Sequence, residues 1–485
     1  MWSLIKDNFW QLLIVLNYVL AIGAAVTILL KNVNPTKTLS YVLILLVFPY
    51  VGLIVYFLFG QEYRKSKIFK RKNILNQKNI QKWHQSLMLN KRELEKIEKD
   101  FLKEKFKLVK LVHNSERSPL TLHNEVDILI NGEEKFKRLF EDIKTAQHSI
   151  HLEYYIIRDD EIGNQLIDAL CERAAAGVEI KINYDFVASS LSAKARNCLT
   201  QNNIEFYPFM PVYFPRLASK LNYRNHRKIA IIDGKIGYVG GINVGDEYVN
   251  GEKKRFWRDT HLRLTGEAVG VLQVNFLLNW DFVCDHHVEK IEEDWFPENE
   301  ITHETAVQIA ASGPDTDWAN IMEAYFLAIT TAEKYVYITT PYFIPNDEII
   351  TALQASAKSG VQIKLIIPKN GDSWAAKYAS FSYIEDLLRA GVEVYLYKKG
   401  VIHAKTMVID DIFSTVGTSN LDYRSFNINF EINALLYDNK LANKMVNTFN
   451  NDLQECERVD PNAWYERKMI QKLKESFCRL WAPLL

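Results

Sequence analysis

The chain has 485 residues, too many for one compact core, so two or three folded units are expected. Its 59 lysines and arginines balance its 59 aspartates and glutamates, which argues against a duplex nucleic-acid binder, because such proteins usually carry a basic excess. The cysteines have no zinc-type spacing and are expected to be free thiols in a reducing compartment; they are Cys171, Cys198, Cys284, Cys456 and Cys478.

Two apolar runs lie near the start of the sequence, from Trp10 to Leu30 and from Leu39 to Phe59, with a short polar loop between them. Each run has the roughly 20 residues that a helix needs to cross a bilayer. A cleaved signal peptide would have one shorter apolar region and no second run. The runs therefore predict two transmembrane helices; the alternative is a buried helical hairpin of a soluble domain.

The charges that flank these runs predict their orientation. The loop between them carries only Lys31 and Lys37, whereas a basic cluster follows the second run directly. The positive-inside rule therefore places everything after residue 60 in the cytoplasm, with the N-terminus on the same side. The cluster consists of Arg64, Lys65, Lys67, Lys70, Arg71 and Lys72.

Beyond a stretch rich in Lys, Glu and Leu that is expected to form a helical linker, the chain repeats one pattern. Strand-like segments at 149–157 and 178–185 flank a helix-like segment, and the same order returns in residues 335–368. Gly177 and Gly360 stand where a glycine would end each helix. Strands that alternate with helices in this way predict βαβ units and a largely parallel sheet in each half.

The motif H-x-K-x-x-x-x-D occurs once in each half, at corresponding positions of the repeat, and an asparagine follows each histidine at the same distance. Chance could produce one such pattern, but two copies in register within a repeat are a strong signal. The residues are His226, Lys228, Asp233 and Asn243 in the first half, and His403, Lys405, Asp410 and Asn420 in the second.

These residue types suit the transfer of a phosphodiester. Residues i and i+2 of an extended strand share a face, so each histidine and its lysine are expected to point into one cleft. Lysine neutralises phosphate oxygens, asparagine adds neutral donors, and histidine acts as a nucleophile or a proton donor near neutral pH. Two histidines facing one phosphorus can share the work, one attacking while the other protonates the leaving group.

Four carboxylates accompany the histidines and lysines. Asp233 and Asp410 complete the motifs and are kept among the candidate catalytic residues, although their place at a turn favours structural hydrogen bonding. Asp259 and Glu431 follow at comparable distances downstream, and we expect them to orient the two histidines, because an attacking imidazole needs its other nitrogen held by an acceptor.

With these motifs the chain resembles the phospholipase D superfamily and, within it, the bacterial cardiolipin synthases, over essentially its whole length. The resemblance includes NYRNHRKIAIIDG, YVGGINVGDEY, IHAKTMVIDD and NLDYRSFNINFE; one departure is Thr418 in GTSN, where glycine or serine is common and a hydroxyl is retained. It implies transfer of a phosphatidyl group from one phosphatidylglycerol to another with release of glycerol. It also implies a phosphohistidine on His226, with His403 as the acid and then the base, and no metal or cofactor.

The fold implied by this resemblance is α/β, with two pseudo-symmetric phospholipase D-like lobes, each a mixed, mostly parallel sheet flanked by helices, after an N-terminal two-helix transmembrane hairpin. The expected boundaries are residues 1–62 for the hairpin, 63–115 for a basic helical linker, 116–290 for the first lobe and 291–485 for the second. The expected location is the bacterial cytoplasmic membrane, multi-pass, with the lobes on the cytoplasmic side.

Several rival functions share this site. A hydrolytic phospholipase D would use water as the acceptor, and a phosphatidylserine-type synthase would use a nucleotide-activated lipid as the donor. Two spans and zero net charge argue against a nuclease, and two intact histidine–lysine pairs argue against a scaffold with a dead site. The expected partners are phospholipid and membrane without nucleic acid, and the oligomeric state is left open.

Two further segments bear on the membrane. Residues 206–217 contain five aromatic residues and three prolines and are expected to form an irregular loop, either at the membrane or packed between the lobes. Near the C-terminus, apolar residues form one helical stripe that either lies on a membrane or packs against the lobes, and packing is favoured. The stripe comprises Met469, Ile470, Leu473, Phe477, Leu480 and Trp481.

Overall fold

The protein divides into two compact units in this computed structural model, residues 1–66 with 212–223 and residues 67–211 with 224–485. The described residues are 9–30, 35–53, 75, 78–87, 105–211, 223–250, 255–284 and 291–482. The domain boundaries expected from the sequence stay a prediction.

The first unit contains helices α1 (Phe9–Leu30) and α2 (Pro35–Val47). Of the described helices, α1 alone is long and apolar enough to cross a membrane: its 22 residues rise about 33 Å. The second apolar run was predicted to be a second transmembrane helix; α2 ends at Val47, a bend follows at Phe48, and residues 49–53 are helical again. Pro49 lacks the amide that would continue the helix, and residues 54–59 lie outside the described part.

The second unit is α/β. Its described helices are α3 (Lys78–Ser86), α4 (Phe106–Glu116), α5 (Asn131–Thr145), α6 (Glu161–Ala175), α7 (Ala193–Gln201), α8 (Glu267–Val283), α9 (Asn320–Thr330), α10 (Asp347–Lys358), α11 (Trp374–Phe381), α12 (Ile384–Arg389), α13 (Tyr423–Asn427), α14 (Asn439–Gln454), α15 (Pro461–Tyr465) and α16 (Met469–Arg479). The strands of its first half are β1 (Thr121–Ile130), β2 (Ser149–Tyr154), β3 (Glu179–Asp185), β4 (Glu205–Phe209), β5 (Lys228–Ile232), β6 (Ile236–Gly240), β7 (Phe256–Arg258) and β8 (Thr260–Gly266).

The strands of the second half are β9 (Glu304–Ser312), β10 (Tyr335–Thr339), β11 (Phe343–Ile344), β12 (Gln362–Pro368), β13 (Glu393–Tyr397), β14 (Gly400–Ile402), β15 (Thr406–Ile409), β16 (Phe413–Gly417), β17 (Leu421–Asp422), β18 (Glu431–Tyr437) and β19 (Cys456–Arg458). Fifteen of these strands form one sheet in the order β19-β13-β12-β10-β15-β16-β18-β9-β1-β8-β6-β5-β2-β3-β4. The two halves of the sequence are joined within this sheet by the antiparallel pair β1–β9.

The sheet is mixed as predicted, but the expectation that it is mostly parallel is wrong. The parallel pairs are β2–β3 and β3–β4 in one half and β10–β12 and β12–β13 in the other, and the other pairs of the large sheet are antiparallel. The reason is local: the βαβ units that the sequence predicted do form, but the motif strands β5 and β15 turn back through tight hairpins into β6 and β16. A short connection of that kind enforces antiparallel pairing.

The two glycines that were predicted to end a helix lie at the turn between a helix and the next strand. Gly177 and Gly360 have φ of 94° and 101°, the left-handed region where a side chain is strained, and each stands between a helix and its following strand. Residues 206–209 were expected to form a loop but lie in β4. This strand is at the edge of the sheet and has only one neighbour, so Pro208, which has no backbone N–H, is tolerated there. Residues 212–217 lie outside the described part.

Helices cover both faces of the sheet. On one face, α8 and α14 pack over strands of both halves, and Leu262, Leu272, Ile309 and Met445 belong to one core cluster. On the other face, α5 and α6 cover the first half and α9 and α10 cover the second. The motif strands β5 and β15 are buried along their whole length, as the apolar runs after each lysine predicted.

The expectation that the cysteines are all free thiols is wrong for one pair. Cys171 on α6 and Cys198 on α7 form a disulfide, with Cα atoms 6.6 Å apart, while Cys284, Cys456 and Cys478 form no disulfide within the described residues. The two helices pack against each other and so bring the two cysteines together. The spacing of the cysteines in the sequence does not indicate this contact.

Candidate active site

The two motif histidines lie immediately before their buried strands. Lys228 is the first residue of β5 and Lys405 directly precedes β15, so each histidine stands two residues earlier at the mouth of a rigid strand. All four side chains are buried, with exposures of 8% for His226, 0% for Lys228, 6% for His403 and 1% for Lys405. The core behind the strands therefore fixes these four groups.

Each histidine is held by backbone from the other half of the chain. Asn225 forms a parallel bridge with Phe430, and the amide of His226 donates to the Phe430 carbonyl at 3.0 Å. In the same way β7 pairs with β14, and the amide of His403 donates to the Arg258 carbonyl at 2.7 Å. Through these backbone contacts His226 lies beside Phe430, the residue before Glu431. In the same way His403 lies beside Arg258, the residue before Asp259.

The histidine–carboxylate pairs are crossed between the halves. Nδ1 of His226 lies 2.9 Å from Oε2 of Glu431, and Nδ1 of His403 lies 2.7 Å from Oδ2 of Asp259. Because an ionised carboxylate can only accept, each Nδ1 carries the proton in this pairing, which makes Nε2 the unprotonated nitrogen of each neutral imidazole. The sequence predicted Asp259 and Glu431 as partners without saying which histidine each would hold.

The lysines lie against their own histidines. Nζ of Lys228 donates to the carbonyl of His226 at 2.6 Å, and Nζ of Lys405 donates to the carbonyl of His403 at 2.5 Å. Nζ of Lys405 also lies 2.8 Å and 3.0 Å from the two ring nitrogens of His403. Two lysine side chains therefore accompany the two imidazoles. Burial lowers the pKa of Lys228 as well as that of Lys405, and a bound anion would favour the charged form of each.

Burial dominates the electrostatics of this cluster. Loss of solvation, reinforced by Lys228 and then Lys405, lowers the pKa of His226 well below its usual value. Burial lowers the pKa of Lys405 to about 8 and raises that of Glu431 to about 7, although the nearby Lys228 works against the second shift. A phosphodiester anion would offset the unfavourable crowding of positive groups, because an opposite charge favours the protonated forms.

The two asparagines are buried close to the cluster, but the amide of each is already engaged. Asn243 donates from Nδ2 to the hydroxyl of Tyr248 at 2.9 Å and accepts the amide of Ile156 at 3.3 Å. Asn420 donates to Asp422 at 2.9 Å, and its buried Oδ1 has no hydrogen-bond partner among the described residues. Their assignment as substrate-binding groups stays a prediction.

Asp233 and Asp410 lie at the far ends of the motif strands from the histidines. Asp233 accepts the backbone amides of Gln147, His148 and Ser149 at 2.7 to 2.9 Å. Asp410 makes the same three contacts with residues 333–335 and also receives Lys105 at 3.2 Å. Both aspartates therefore tie a motif strand to the turn before its neighbour, a geometry that favours a structural role over a catalytic one.

The two histidine–carboxylate pairs differ at Thr418, which the sequence had shown only as a departure from the family pattern. Its hydroxyl donates to Oε2 of Glu431 at 2.6 Å. The corresponding residue of the first half is Gly241, where a Cβ would come within 2.1 Å of the carboxylate of Asp259. Glu431 is thus held by an added hydrogen bond from the Thr418 hydroxyl, whereas Asp259 packs closely against the backbone at Gly241.

Aromatic rings also line the histidines, and sequence reasoning missed them. Tyr155 meets His226 edge-on with ring centroids 4.9 Å apart, and Trp257 lies 5.2 Å from His403. Both residues have a sequence signal: Tyr155 follows β2 directly, and Trp257 stands two residues before Asp259. These rings restrict how far each imidazole can rotate.

A buried polar network behind His226 was also missed. Oε1 of Glu153 accepts Nδ2 of Asn225 at 2.7 Å and Nδ2 of Asn279 at 2.5 Å. The amide of Asn225 donates to Asp185 at 3.1 Å. Since Asn225 directly precedes His226, these carboxylates on β2 and β3 fix the backbone that presents the imidazole. Within the described ranges, no group of three His, Cys, Asp or Glu side chains is placed to hold a metal ion.

Comparison with known proteins agrees with this site. The family model described as "Cardiolipin synthase, PLD-like domain" matches residues 139–258 and 325–453, so it covers each histidine–lysine pair once. A cardiolipin synthase of Geobacillus sp. (strain WCH70) is 40% identical over 95% of this chain and 91% of its own length. The chain belongs to the cardiolipin synthase family of the phospholipase D superfamily. Cardiolipin synthase 2 of Bacillus anthracis is 39% identical over 94% of this chain and 88% of its own length.

Two further matches concern the N-terminus and the fold. A model described as "Phospholipase_D-nuclease N-terminal" matches residues 19–61, so the apolar segment also belongs to the pattern of this superfamily. The crystal structure of phosphatidylserine synthase from Haemophilus influenzae Rd KW20 superposes with a TM-score of 0.59, covering 78% of this chain and 100% of that one. At 16% identity this match shows that the two share a fold.

Proposed function

We propose that this member of the cardiolipin synthase family transfers a phosphatidyl group from one phosphatidylglycerol to the hydroxyl of another and releases glycerol. The relatives that resemble it along nearly their whole length carry the name cardiolipin synthase, which supports the reaction class. The observation that carries the chemistry is the crossed pairing of His226 with Glu431 and of His403 with Asp259, beside two buried lysines.

The first step forms the phosphohistidine. Nε2 of His226 attacks the phosphorus, and the bond to the oxygen of the leaving glycerol breaks while His403, as the imidazolium, protonates that oxygen. Glu431 stabilises the positive charge that develops on His226, and Lys228 and Lys405 neutralise the phosphoryl oxygens. Asn243 and Asn420 are proposed to add neutral donors once substrate is bound.

The second step returns the site to its starting state. His403, now neutral, takes the proton from a hydroxyl of the second phosphatidylglycerol, and that oxygen attacks the phosphorus as the bond to Nε2 of His226 breaks. Asp259 keeps Nδ1 of His403 protonated, so Nε2 is the nitrogen that moves the proton. The assignment of nucleophile and acid to the two histidines follows the resemblance to the family, since the crossed geometry treats them alike.

The location is proposed on the same grounds. The apolar helix α1 and the N-terminal match support attachment to a membrane. We infer that the second apolar run completes a two-span anchor and that the basic cluster after it keeps the catalytic unit on the cytoplasmic side. The recurrence of strand order in the two halves supports two related lobes about a pseudo-twofold axis.

The product of phosphatidylglycerol alone tests this function. Purified protein reconstituted in phosphatidylglycerol vesicles should yield cardiolipin and glycerol in equal amounts, measured by mass spectrometry, with phosphatidic acid as a minor product. His226→Ala and His403→Ala, in matched preparations, should each reduce turnover about a thousandfold or more. Predominant phosphatidic acid would indicate a hydrolase, and a requirement for a nucleotide-activated lipid would indicate a phosphatidylserine-type synthase.

A further inference from the structure

Helix α16 presents its apolar side to solvent and its polar side to the protein. Six apolar residues at or just beyond the helix are exposed, among them Leu473 at 58% and Phe477 at 56%, whereas Glu475 is only 1% exposed. A helix at the surface of a soluble domain normally does the opposite. The stripe consists of Met469, Ile470, Leu473, Phe477, Leu480 and Trp481. The expectation that it packs against the lobes is therefore wrong.

Buried polar contacts hold the helix in this rotation. Glu475 accepts Nη2 of Arg467 at 2.8 Å and Nε2 of Gln471 at 3.0 Å, and Arg467 also donates to Glu385 on α12 at 2.7 Å. Turning the stripe inward would separate these charges and leave Glu475 without its partner, which is costly for a buried group. The exposure of the stripe is thus imposed by the polar face.

Basic side chains flank the stripe. Lys468 precedes the helix and is exposed, and Lys474 lies beside Leu473 with its ammonium 5.8 Å above the ring of Tyr378. An exposed apolar stripe with lysines at its border is the pattern of a helix that lies in the headgroup region of an anionic bilayer.

The same surface continues toward the active site. Helix α11 packs against α16, and its first residue, Trp374, is 58% exposed with its ring 5.2 Å from Tyr378. Trp374 stands two residues after Asp372, a carboxylate that acts electrostatically on His403 and Lys405. Tryptophan is the side chain most suited to the membrane interface, because its ring is amphipathic.

We propose that the stripe of α16, together with Trp374, is an interfacial docking surface that seats the catalytic unit on anionic lipid. It includes none of the catalytic groups and no residue of the N-terminal apolar segment. It rests on the proposed function only in that the substrate is a lipid of the bilayer. Docking would bring the rim of the site to the headgroups, from which the lipid must enter.

Photocrosslinking in the full chain tests which partner covers the stripe. Phe477→p-benzoylphenylalanine, reconstituted in vesicles of phosphatidylglycerol and phosphatidylcholine, should form adducts with the mass of a lipid. The same replacement at Trp318, an equally exposed aromatic residue elsewhere, should not. Crosslinks to a second copy of the chain, or none to lipid, would overturn the proposal. Because this readout needs no turnover, it stands apart from any failure of the proposed reaction.

A kinetic comparison gives an independent test. The triple variant Ile470→Ser, Leu473→Ser, Phe477→Ser should lower the rate of cardiolipin formation about tenfold in vesicles with dilute phosphatidylglycerol, because interfacial affinity scales with buried apolar area. On short-chain phosphatidylglycerol in detergent micelles its rate should stay within about twofold of the parent. The matched control is Val187→Ser, Trp318→Ser, Phe326→Ser, three exposed apolar residues outside the surface. Equal losses in both media, or no loss in vesicles, would contradict docking.

Discussion

His403 and Asp259 belong to different halves of the sequence, yet Nδ1 of the histidine lies 2.7 Å from the carboxylate. The complementary pair, His226 and Glu431, crosses in the other direction. Neither half therefore holds a complete histidine–carboxylate pair, and the site exists only where the two halves join. This crossing also gives each carboxylate a separate, testable role.

Asp259→Asn and Glu431→Gln should lower the rate at different steps. An amide can present its NH₂ group to Nδ1 and favour the wrong tautomer, which we expect to cost about 10²- to 10⁴-fold in kcat. Glu431→Gln should slow formation of the covalent adduct, and Asp259→Asn should slow the proton transfers. Rapid-quench measurement of the adduct, which forms together with glycerol, and of cardiolipin, which forms only in the second step, separates the two steps. Identical effects on both steps from both variants would contradict the crossed assignment.

His403→Ala should retain adduct formation when the leaving group needs no proton. A phosphodiester of p-nitrophenol leaves as a stable anion, so it bypasses the acid but still requires the nucleophile. We expect a burst of p-nitrophenol from His403→Ala, with a phosphorylated peptide that contains His226, and no burst from His226→Ala. An adduct on His403 in the parent protein would reverse the two roles.

The rate should fall as the pH rises through about 8, the pKa to which burial lowers Lys405. The protonated lysine binds the phosphate, and a lysine loses its charge as the pH increases, so the descending limb lies on the alkaline side. The profile of kcat/KM reports the free protein and is the measurement to use. Lys405→Arg should lose this limb even if its maximum rate is lower, because guanidinium stays charged. Burial also lowers the pKa of Lys228 well below its usual value, so Lys228→Arg is measured in parallel: loss of the limb in that variant and not in Lys405→Arg would assign the limb to Lys228.

Asp233→Asn should reduce stability more than activity. Asp233 has φ of 52°, a conformation that asparagine tolerates, so the substitution keeps the backbone while it removes the negative charge and replaces one of the two oxygens that accept three backbone amides with an NH₂ group. We expect a destabilisation of about 1–3 kcal/mol, seen as a lower midpoint of thermal unfolding, with near-parental kcat well below that midpoint. An inactive variant with an unchanged unfolding midpoint would instead make Asp233 a catalytic residue.

The sequence alone was enough to predict the family and the candidate residues of the site. The motif pairs, the repeated strand–helix–strand order and the glycine that ends each helix are all local patterns, and each produces the element it predicted because its cause lies within a few residues. The candidate carboxylates Asp259 and Glu431 were also visible, since they follow the two histidines at comparable distances.

The tertiary structure decided everything that depends on distant partners. Glu431 contacts His226 from 205 residues away, and no spacing rule encodes which carboxylate reaches which imidazole. The outward stripe of α16 had the same cause: its sequence shows only that the helix is amphipathic, while the contact of Arg467 with Glu385 on α12 and the burial of Glu475 and Cys478 place the opposite side against the protein. Periodicity defines the faces of a helix or strand, but packing against the rest of the chain selects the face that is buried.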